Sequence, residues 1–546
     1  MCGIFLLLNN SQYDKMYVFE QFMKGKHRGP ENSYFRDSDN TASKTNYIGF
    51  HRLAINGIND ASNQPIIKDN ITLICNGEIY NHKKLYQTLD SSPVTDSDCE
   101  VIIDCYKQFG IQYTLQLLDG VFAFVLIDDA KKDIYVARDP FGVRPMYAFS
   151  SSFGSLQGFA SELKQLSDFV KTPKDEIKQF SPGTYSRFKM DSTTRSWTFE
   201  HSYRYFSVFT RNFTFDSYDE TLSSIKHYLT EAVKKRVENT DRPVACLLSG
   251  GLDSSLITSI VSRNVKHPLK TFSIGLKGSE DLKYAKIVAE FLKTDHTEVV
   301  VSEEDFLRAI PEVIEKIESY DTTTVRASVG NYLLGKYISE NSECKVIFNG
   351  DGSDELCGGY LYFHKCPNEL EFDRECKRLL QEICYYDVLR SDRSISTNGL
   401  EPRTPFLDRT WAQYYLSIDP SIRYHPKHNQ CEKYLLRKAF DDDTYLPKEI
   451  LWRKKEAFSD GVSSLQKSWY EIIDEYVQRI PKQEELNTTM NKPTTPEQSY
   501  YRSIFNIHYE SAQHTIPHFW MPKYVDASDS SARTLDVYDD TVEPSS

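Results

Sequence analysis

Pro243-Val-Ala-Cys-Leu-Leu-Ser-Gly-Gly-Leu-Asp-Ser-Ser255 joins an apolar run to a Gly-rich turn. Pro243 to Leu248 is a short apolar run of the kind that forms a buried strand, Ser249 to Ser255 is a Gly-rich turn, and Leu256 to Arg263 reads as a helix. A helical pattern, Tyr218 to Glu238, precedes it. Downstream come a strand at Thr271 to Ile274, a helix over about 281–293, a strand at Thr297 to Val301 and another at Lys345 to Phe348. Strand and helix alternate at βαβ spacing, which predicts a parallel sheet with helices on both faces. Beyond 370 the pattern is mostly helical. The strand–loop–helix junction is also a recipe for an anion site, because a Gly-rich turn leaves N–H groups unpaired at the positive end of a helix. The ending G-K-[ST] of the Walker loop is absent.

Upstream the texture differs. Short β-like runs at Gly3 to Leu8, Ile71 to Cys75, Val121 to Ile127 and Asp133 to Ala137 are separated by turns, with helices only near 82–90 and 98–109. Consecutive strands with few helices predict antiparallel sheets. The expected organisation is an α+β domain over 1–205, a linker at 206–219, an α/β domain with a helical C-terminal part over 220–524, and a Ser- and Asp-rich frayed tail at 525–546. The length of 546 residues accommodates two to four domains at roughly 100–200 residues each. With 40% hydrophobic and 26% charged residues the composition is globular. The net charge of −13 and the lack of a basic stripe argue against nucleic acid as a partner. No apolar run reaches the roughly 18 residues of a membrane span, and no secretory signal is present. Eleven cysteines without a C-x-x-C pair fit buried thiols in a reducing compartment, so a soluble cytoplasmic protein is expected.

Cys2 follows the initiator methionine. Removal of Met1 would leave a thiol beside a free α-amine, whose ordinary pKa of about 7.7–8 suits a general base. A nucleophile activated by its own terminal amine is an established device. The plain alternative is a small residue that favours Met removal. H-R-G-P (His27 to Pro30), R-L-A-I-N (Arg52 to Asn56), N-G-E (Asn76 to Glu78) and Asp98 follow, then L-D-G-V-F-A-F (Leu118 to Phe124), R-D-P-F-G-V-R-P (Arg138 to Pro145) and A-S-E-L-K (Ala160 to Lys164). Taken together, these resemble the class II glutamine amidotransferase domain, of the N-terminal nucleophile fold, over about 1–190.

The resemblance implies two antiparallel sheets stacked between helices, and a glutamine site. Arg52 would hold the α-carboxylate, Asp98 and Glu78 would receive the α-ammonium, and Leu53, Ala54, Ile55 and Asn56 would complete the pocket. Asn76 and the Gly77 N–H would form the oxyanion hole. Cys2 would attack the amide carbon and release ammonia. Each residue has an ordinary reading as well: Arg52 as a surface ion pair, Asn76-Gly77 as a hairpin turn, Asp98 as a helix cap.

In the second half, Ser249 to Ser255 looks like the pyrophosphatase loop of the N-type ATP pyrophosphatases. Asp253 would help hold a Mg²⁺ bridging the phosphates. A second loop, N-G-D-G-S-D-E (Asn349 to Glu355), follows the strand at 345–348. Ligands gather at the carboxyl ends of parallel strands, so both loops can face one site, with Asp354 as the second metal carboxylate. A solvated acidic turn is the alternative.

Four further stretches extend the match: S-Y-D-T-T-T-V-R-A-S (Ser319 to Ser328), G-G-Y-L-Y-F-H-K (Gly358 to Lys365), C-E-K-Y-L-L-R (Cys431 to Arg437) and R-K-K-E-A-F-S-D-G-V (Arg453 to Val462). S-A-R-T-L (Ser531 to Leu535) belongs with them. Nearly the whole chain resembles the glutamine-hydrolysing asparagine synthetases. By that resemblance Leu248, Ser249, Gly250, Gly251, Asp253, Ser254, Ser255, Ile274, Asn349 and Gly350 would contact ATP. Thr323, Thr324 and Arg326 would bind aspartate, and Lys455 would offset charge on the departing pyrophosphate. Composition alone reads Lys455 as part of a solvated basic cluster.

Two departures stand out. The family pattern S-G-E-G-S-D-E has Asn349 in place of its Ser and Asp351 in place of its Glu. Asp351 keeps the carboxylate but is one methylene shorter, so its part in forming or aminating activated aspartate is expected to persist at a lower rate. The expected substrates are glutamine, aspartate and ATP with Mg²⁺, the expected product is asparagine via β-aspartyl-AMP, and the family suggests a homodimer and an internal ammonia tunnel. Two other readings were weighed: a β-lactam synthetase-like ligase with another acceptor, and a catalytically idle regulatory homologue. Cys2 and Asp253 disfavour the second.

Overall fold

A computed structural model describes residues 1–37, 44–152, 155–207, 217–428, 430–464, 466–481 and 490–540. The N-terminal part holds two six-stranded antiparallel sheets. In the first, the strand Gly3–Asn10 lies between Thr45–Arg52 and Gln157–Ala160. In the second, Ile71–Ile79 pairs with Gly120–Asp128, which pairs in turn with Asp133–Arg138. The sheets stack through alternate residues. Ile4, Leu6 and Leu8 meet Ile74, Ala123, Val125, Ile134 and Val136 in a common core, as the two-residue period of a strand requires. The opposite face carries Phe5 and Leu7 into a second core with Val18 and Phe22. The first strand is therefore buried along its whole length, and Cys2 sits at its entrance.

The second half holds a five-stranded sheet in the order Asp295–Val301, Lys270–Leu276, Val244–Leu247, Val346–Phe348, Glu401–Arg403, all parallel. The helix Leu252–Ser262 begins four residues earlier than its composition suggested, so Asp253 belongs to its first turn. The edge strand Glu401–Arg403 was not expected, since three residues that include a proline carry no strand pattern. Among the described residues, no helix is long and apolar enough to cross a membrane. Cysteines other than Cys2 and Cys431 are buried free thiols.

The reading of 525–546 as frayed is corrected for 525–540. Leu535 and Val537 are buried there, and Asp529 forms an ion pair with Arg326. Composition misled because ionic contacts rather than apolar burial anchor most of this segment. The central part of the expected linker, 208–216, lies outside the described residues, as does 541–546.

Candidate active sites

Cys2 Sγ lies 3.6 Å from the Leu53 carbonyl, and the Cys2 carbonyl accepts from Arg28 Nε at 3.0 Å. Burial pushes the Cys2 thiol above its ordinary pKa, opposed by the neighbouring terminal amine and, more weakly, by Arg52. The Met1 ammonium is fully buried, which lowers its pKa to about 6. Arg52 places its guanidinium on neutral oxygens. Nη1 donates to Asn59 O (2.8 Å) and Asn63 Oδ1 (2.7 Å), and Nη2 to the carbonyls of Asn56 and Gly57. A cation so solvated keeps its charge for an incoming carboxylate.

Asn76 is buried, and its Nδ2 has no acceptor. An orphan buried donor is costly unless a ligand uses it, which suits an oxyanion hole. Gly77 is required beside it, because a Cβ there would stand 2.6 Å from the Val121 carbonyl. Asn76-Gly77 is thus mid-strand and not a hairpin turn. Asp98 caps no helix with its side chain; its Oδ2 accepts from Ile79 N (2.7 Å) and Asn239 Nδ2 (3.0 Å). Glu78 Oε2 accepts from Asn56 Nδ2 (2.6 Å) and the same Asn239 Nδ2 (3.0 Å). Burial, with Asp98 and Glu401 nearby, raises the Glu78 pKa well above the carboxylate range. Leu53, Ala54 and Ile55 are buried in the connecting loop, which the second half latches: Arg242 Nε donates to Ala54 O, and Asp241 N to Ile55 O.

The second site is a cleft at the carboxyl ends of the parallel strands. Of the residues expected to contact ATP, Leu248, Ser249, Gly251, Asp253, Ser254, Ile274, Asn349 and Gly350 line it. Gly250 and Ser255 do not. Gly250 (φ +73°) turns the loop against Tyr284 and Ala285, and Ser255 is buried beneath it. The two loops meet where Ser353 Oγ donates to Asp253 Oδ1 at 2.7 Å. Lys433 Nζ lies 2.5 Å from both Asp253 and Asp354, and Lys455 Nζ is 2.7 Å from Asp354. Burial alone would raise Asp354, but Lys433 and Lys455 hold its pKa well below the usual range. Gly359 cradles this cluster, since a Cβ there would collide with Lys433 Cε and Asp354 Oδ1. Two carboxylates beside two ammonium groups and a helix N-terminus fit a magnesium–phosphate ligand, because Mg²⁺ takes one or two carboxylates and completes its shell from phosphate and water. Among the described residues no group of three or more metal-ligating side chains is preassembled.

Thr323 lines the same cleft, and its buried hydroxyl has no partner. Thr324 also lines it but spends its hydroxyl on Asp321, capping the helix Thr322–Asn341. Arg326, expected to take the aspartate carboxylate, has other partners in this structure. Its buried guanidinium is already bound to Glu497 (Nε, 2.9 Å) and Asp529 (2.7 and 2.8 Å), outside the cleft lining. The guanidinium that does line the cleft is Arg390. It contacts Asp351 at 3.0 Å and also Asp387, while its Nε has no partner. Asp351 is further held by Asn349 Nδ2 at 2.8 Å, and burial raises its pKa despite Arg390.

Sequence reasoning missed Lys433, Arg390 and Asn239. Lys433 stands inside the quoted Cys431 to Arg437 stretch, and its backbone is left-handed (φ +56°), but neither feature assigns it a partner. Asn239 and Arg390 carried no signal.

A family model described as "Asparagine synthase" matches residues 224–371 and 366–522, and one described as "Glutamine amidotransferase domain" matches 1–203. Relatives named "Asparagine synthetase [glutamine-hydrolyzing]" from Cricetulus griseus and Homo sapiens are each 41% identical. They align over 98% and 99% of this chain and 99% and 100% of their own lengths. The Gallus gallus relative of that name is 41% identical over the whole of both chains. With both sites present in one chain, and full-length similarity of this order, the chain belongs to the glutamine-hydrolysing asparagine synthetase family.

Proposed function

We propose that the chain makes asparagine from aspartate, using ATP and the amide nitrogen of glutamine. Cys2, freed of Met1, attacks the glutamine amide carbon, with the unpaired Asn76 Nδ2 and the Gly77 N–H receiving the oxyanion. Ammonia leaves, and water releases glutamate from the thioester. Arg52 takes the glutamine carboxylate, and Asp98 with Glu78 its ammonium.

In the cleft, the Ser249–Ser255 loop and the N-terminus of the helix Leu252–Ser262 receive the ATP phosphates. The aspartate β-carboxylate attacks the α-phosphorus, pyrophosphate leaves, and ammonia displaces AMP from β-aspartyl-AMP. Thr323 and Arg390 are the groups best suited to aspartate, and Lys433 and Lys455 neutralise the leaving pyrophosphate. Asp253 and Asp354 would hold Mg²⁺, which supplies further charge neutralisation on the phosphates. Ammonia crosses the seam between the domains. The two sites adjoin there: Glu78 lies 3.4 Å from Arg403, whose carbonyl accepts from Asn349 N at 3.1 Å. The reading includes a cytoplasmic homodimer, and the free thiols agree with a reducing compartment.

The carrying observation is the convergence of the two loops on Lys433, which neutralises Asp253 and Asp354 until an anionic nucleotide arrives. The test measures AMP, glutamate and asparagine with ATP, magnesium and aspartate, supplying glutamine or ammonium. Wild type should make asparagine from both. Cys2→Ala should lose the glutamine route and keep the ammonium route. Absence of AMP under either condition would refute the synthetase reading.

A further inference from the structure

Lys455 is carried by residues 453–457, which have no regular secondary structure. No ladder of backbone hydrogen bonds therefore fixes its aim. On one side Arg453 pairs with Asp281 at 3.3 Å. On the other, the C-terminal segment grips both of Lys455's neighbours. The Tyr538 hydroxyl donates to Glu456, and Arg533 Nε approaches the same carboxylate at 3.4 Å. Lys454 Nζ donates to the Tyr538 carbonyl and lies 4.3 Å from its ring centre. Arg533 Nη1 donates to Ser464 O at 3.0 Å, and Ser531 Oγ to Asp460 at 2.9 Å. The segment is docked through Asp529 on Arg326, and through the buried Leu535 and Val537.

We propose that residues 529–538 form a positioning strap for the ATP site: by holding Lys454 and Glu456, Arg533 and Tyr538 aim Lys455 at Asp354 and at the pyrophosphate. This rests on the role given to Lys455 under Proposed function. It also gives Arg326 a task, as the clasp that closes the strap over the helix bearing Thr323. A lysine on an irregular loop has a flexible four-carbon stem whose rotamer freedom is lost when its ammonium is recruited. Fixing both neighbours reduces the number of positions from which its ammonium must be recruited.

The full-length chain tests this with Arg533→Ala, Tyr538→Phe and Arg533→Lys. Three quantities are followed: ATP-dependent AMP formation with ammonium, the KM for ATP, and glutamine hydrolysis without ATP. Arg533→Ala and Tyr538→Phe should each lower kcat/KM for ATP about tenfold, the scale of one hydrogen bond to a charged group. Glutamine hydrolysis should be unchanged, and Arg533→Lys should recover most of the loss. Unchanged ATP kinetics in both weakening variants would overturn the strap. So would an equal fall in both activities with a lowered thermal midpoint, which marks a general structural role. A wild-type chain that releases no AMP would instead refute the synthetase reading, and the strap with it.

Discussion

Asn349 and Asp351 share one hydrogen-bonded corner of the cleft. Asn349 Nδ2 bridges Asp351 Oδ2 and Ser391 Oγ, while Arg390 holds the other Asp351 oxygen. Asn349 thus donates at 2.8 Å to the carboxylate that is one methylene shorter than the family's Glu. The two departures from the family pattern therefore touch one another, and they are expected to act as one coupled change. Asp351→Glu by itself would crowd Asn349 and Arg390, and overpacking of this kind costs about 1–3 kcal/mol. Asn349→Ser by itself would leave Asp351 without its donor. Each single variant should slow ammonium-dependent AMP formation roughly tenfold, and the double variant should return near wild type, a coupling of at least about 1 kcal/mol. Simple addition of the two losses in that assay would show that the residues act independently.

The junction between the strand Val244–Leu247 and the helix Leu252–Ser262 depends on backbone geometry more than on side chains. Gly250 has φ +73°, and a Cβ there would stand 2.4 Å from Ala285 N and from the Tyr284 carbonyl carbon. Both clashes are with backbone, so no side chain can swing away. Gly250→Ala must shift the loop against the helix Glu280–Leu292, moving the N–H groups proposed to receive the phosphates. A displacement of about 1 Å costs on the order of a hundredfold in rate. ATP-dependent AMP formation should fall by about that factor, while glutamine hydrolysis, in a separate sheet sandwich, should not change. Near-normal AMP formation in this variant would mean the loop does not contact the phosphates.

Across the whole molecule the two halves are joined by buried charges. Arg28 meets Asp392 through two hydrogen bonds of 2.8 and 3.1 Å, Lys164 meets Glu318, and Arg144 meets Glu401. Such pairs contribute little net stability when intact, yet removing one partner leaves a buried charge at a cost of about 3–5 kcal/mol. Arg28 also holds the Cys2 carbonyl, so the interface and the nucleophile share one side chain. Asp392→Ala should lower the thermal midpoint, and should reduce glutamine-dependent asparagine formation more than the ammonium-dependent route. Equal reduction of both routes would separate the interface from the glutamine site.

Much of the architecture was legible because it is local. Short β-like runs at Ile71 to Cys75 and Val121 to Ile127 marked the inner parts of the strands Ile71–Ile79 and Gly120–Asp128, a helical pattern marked Tyr218–Glu238, and Gly-rich turns marked both loops of the cleft. Cys2, Arg52, Asn76, Asp253, Asp354 and Lys455 became candidates through the family resemblance, whose motifs are contiguous in the chain. The edge strand Glu401–Arg403, the Asn239 bridge between Glu78 and Asp98, the Lys433 bridge between Asp253 and Asp354, and the closure of Arg326 by Asp529 were not legible. Each joins residues separated by tens to hundreds of positions, and no local pattern records which charge a distant charge will meet. Local pattern and motif thus carried both folds and the family. Which cations line the cleft and which are buried away from it, as Lys433 and Arg390 are set against Arg326, came from the folded chain alone, because a side chain's partner is set by packing in three dimensions and not by its neighbours in the chain.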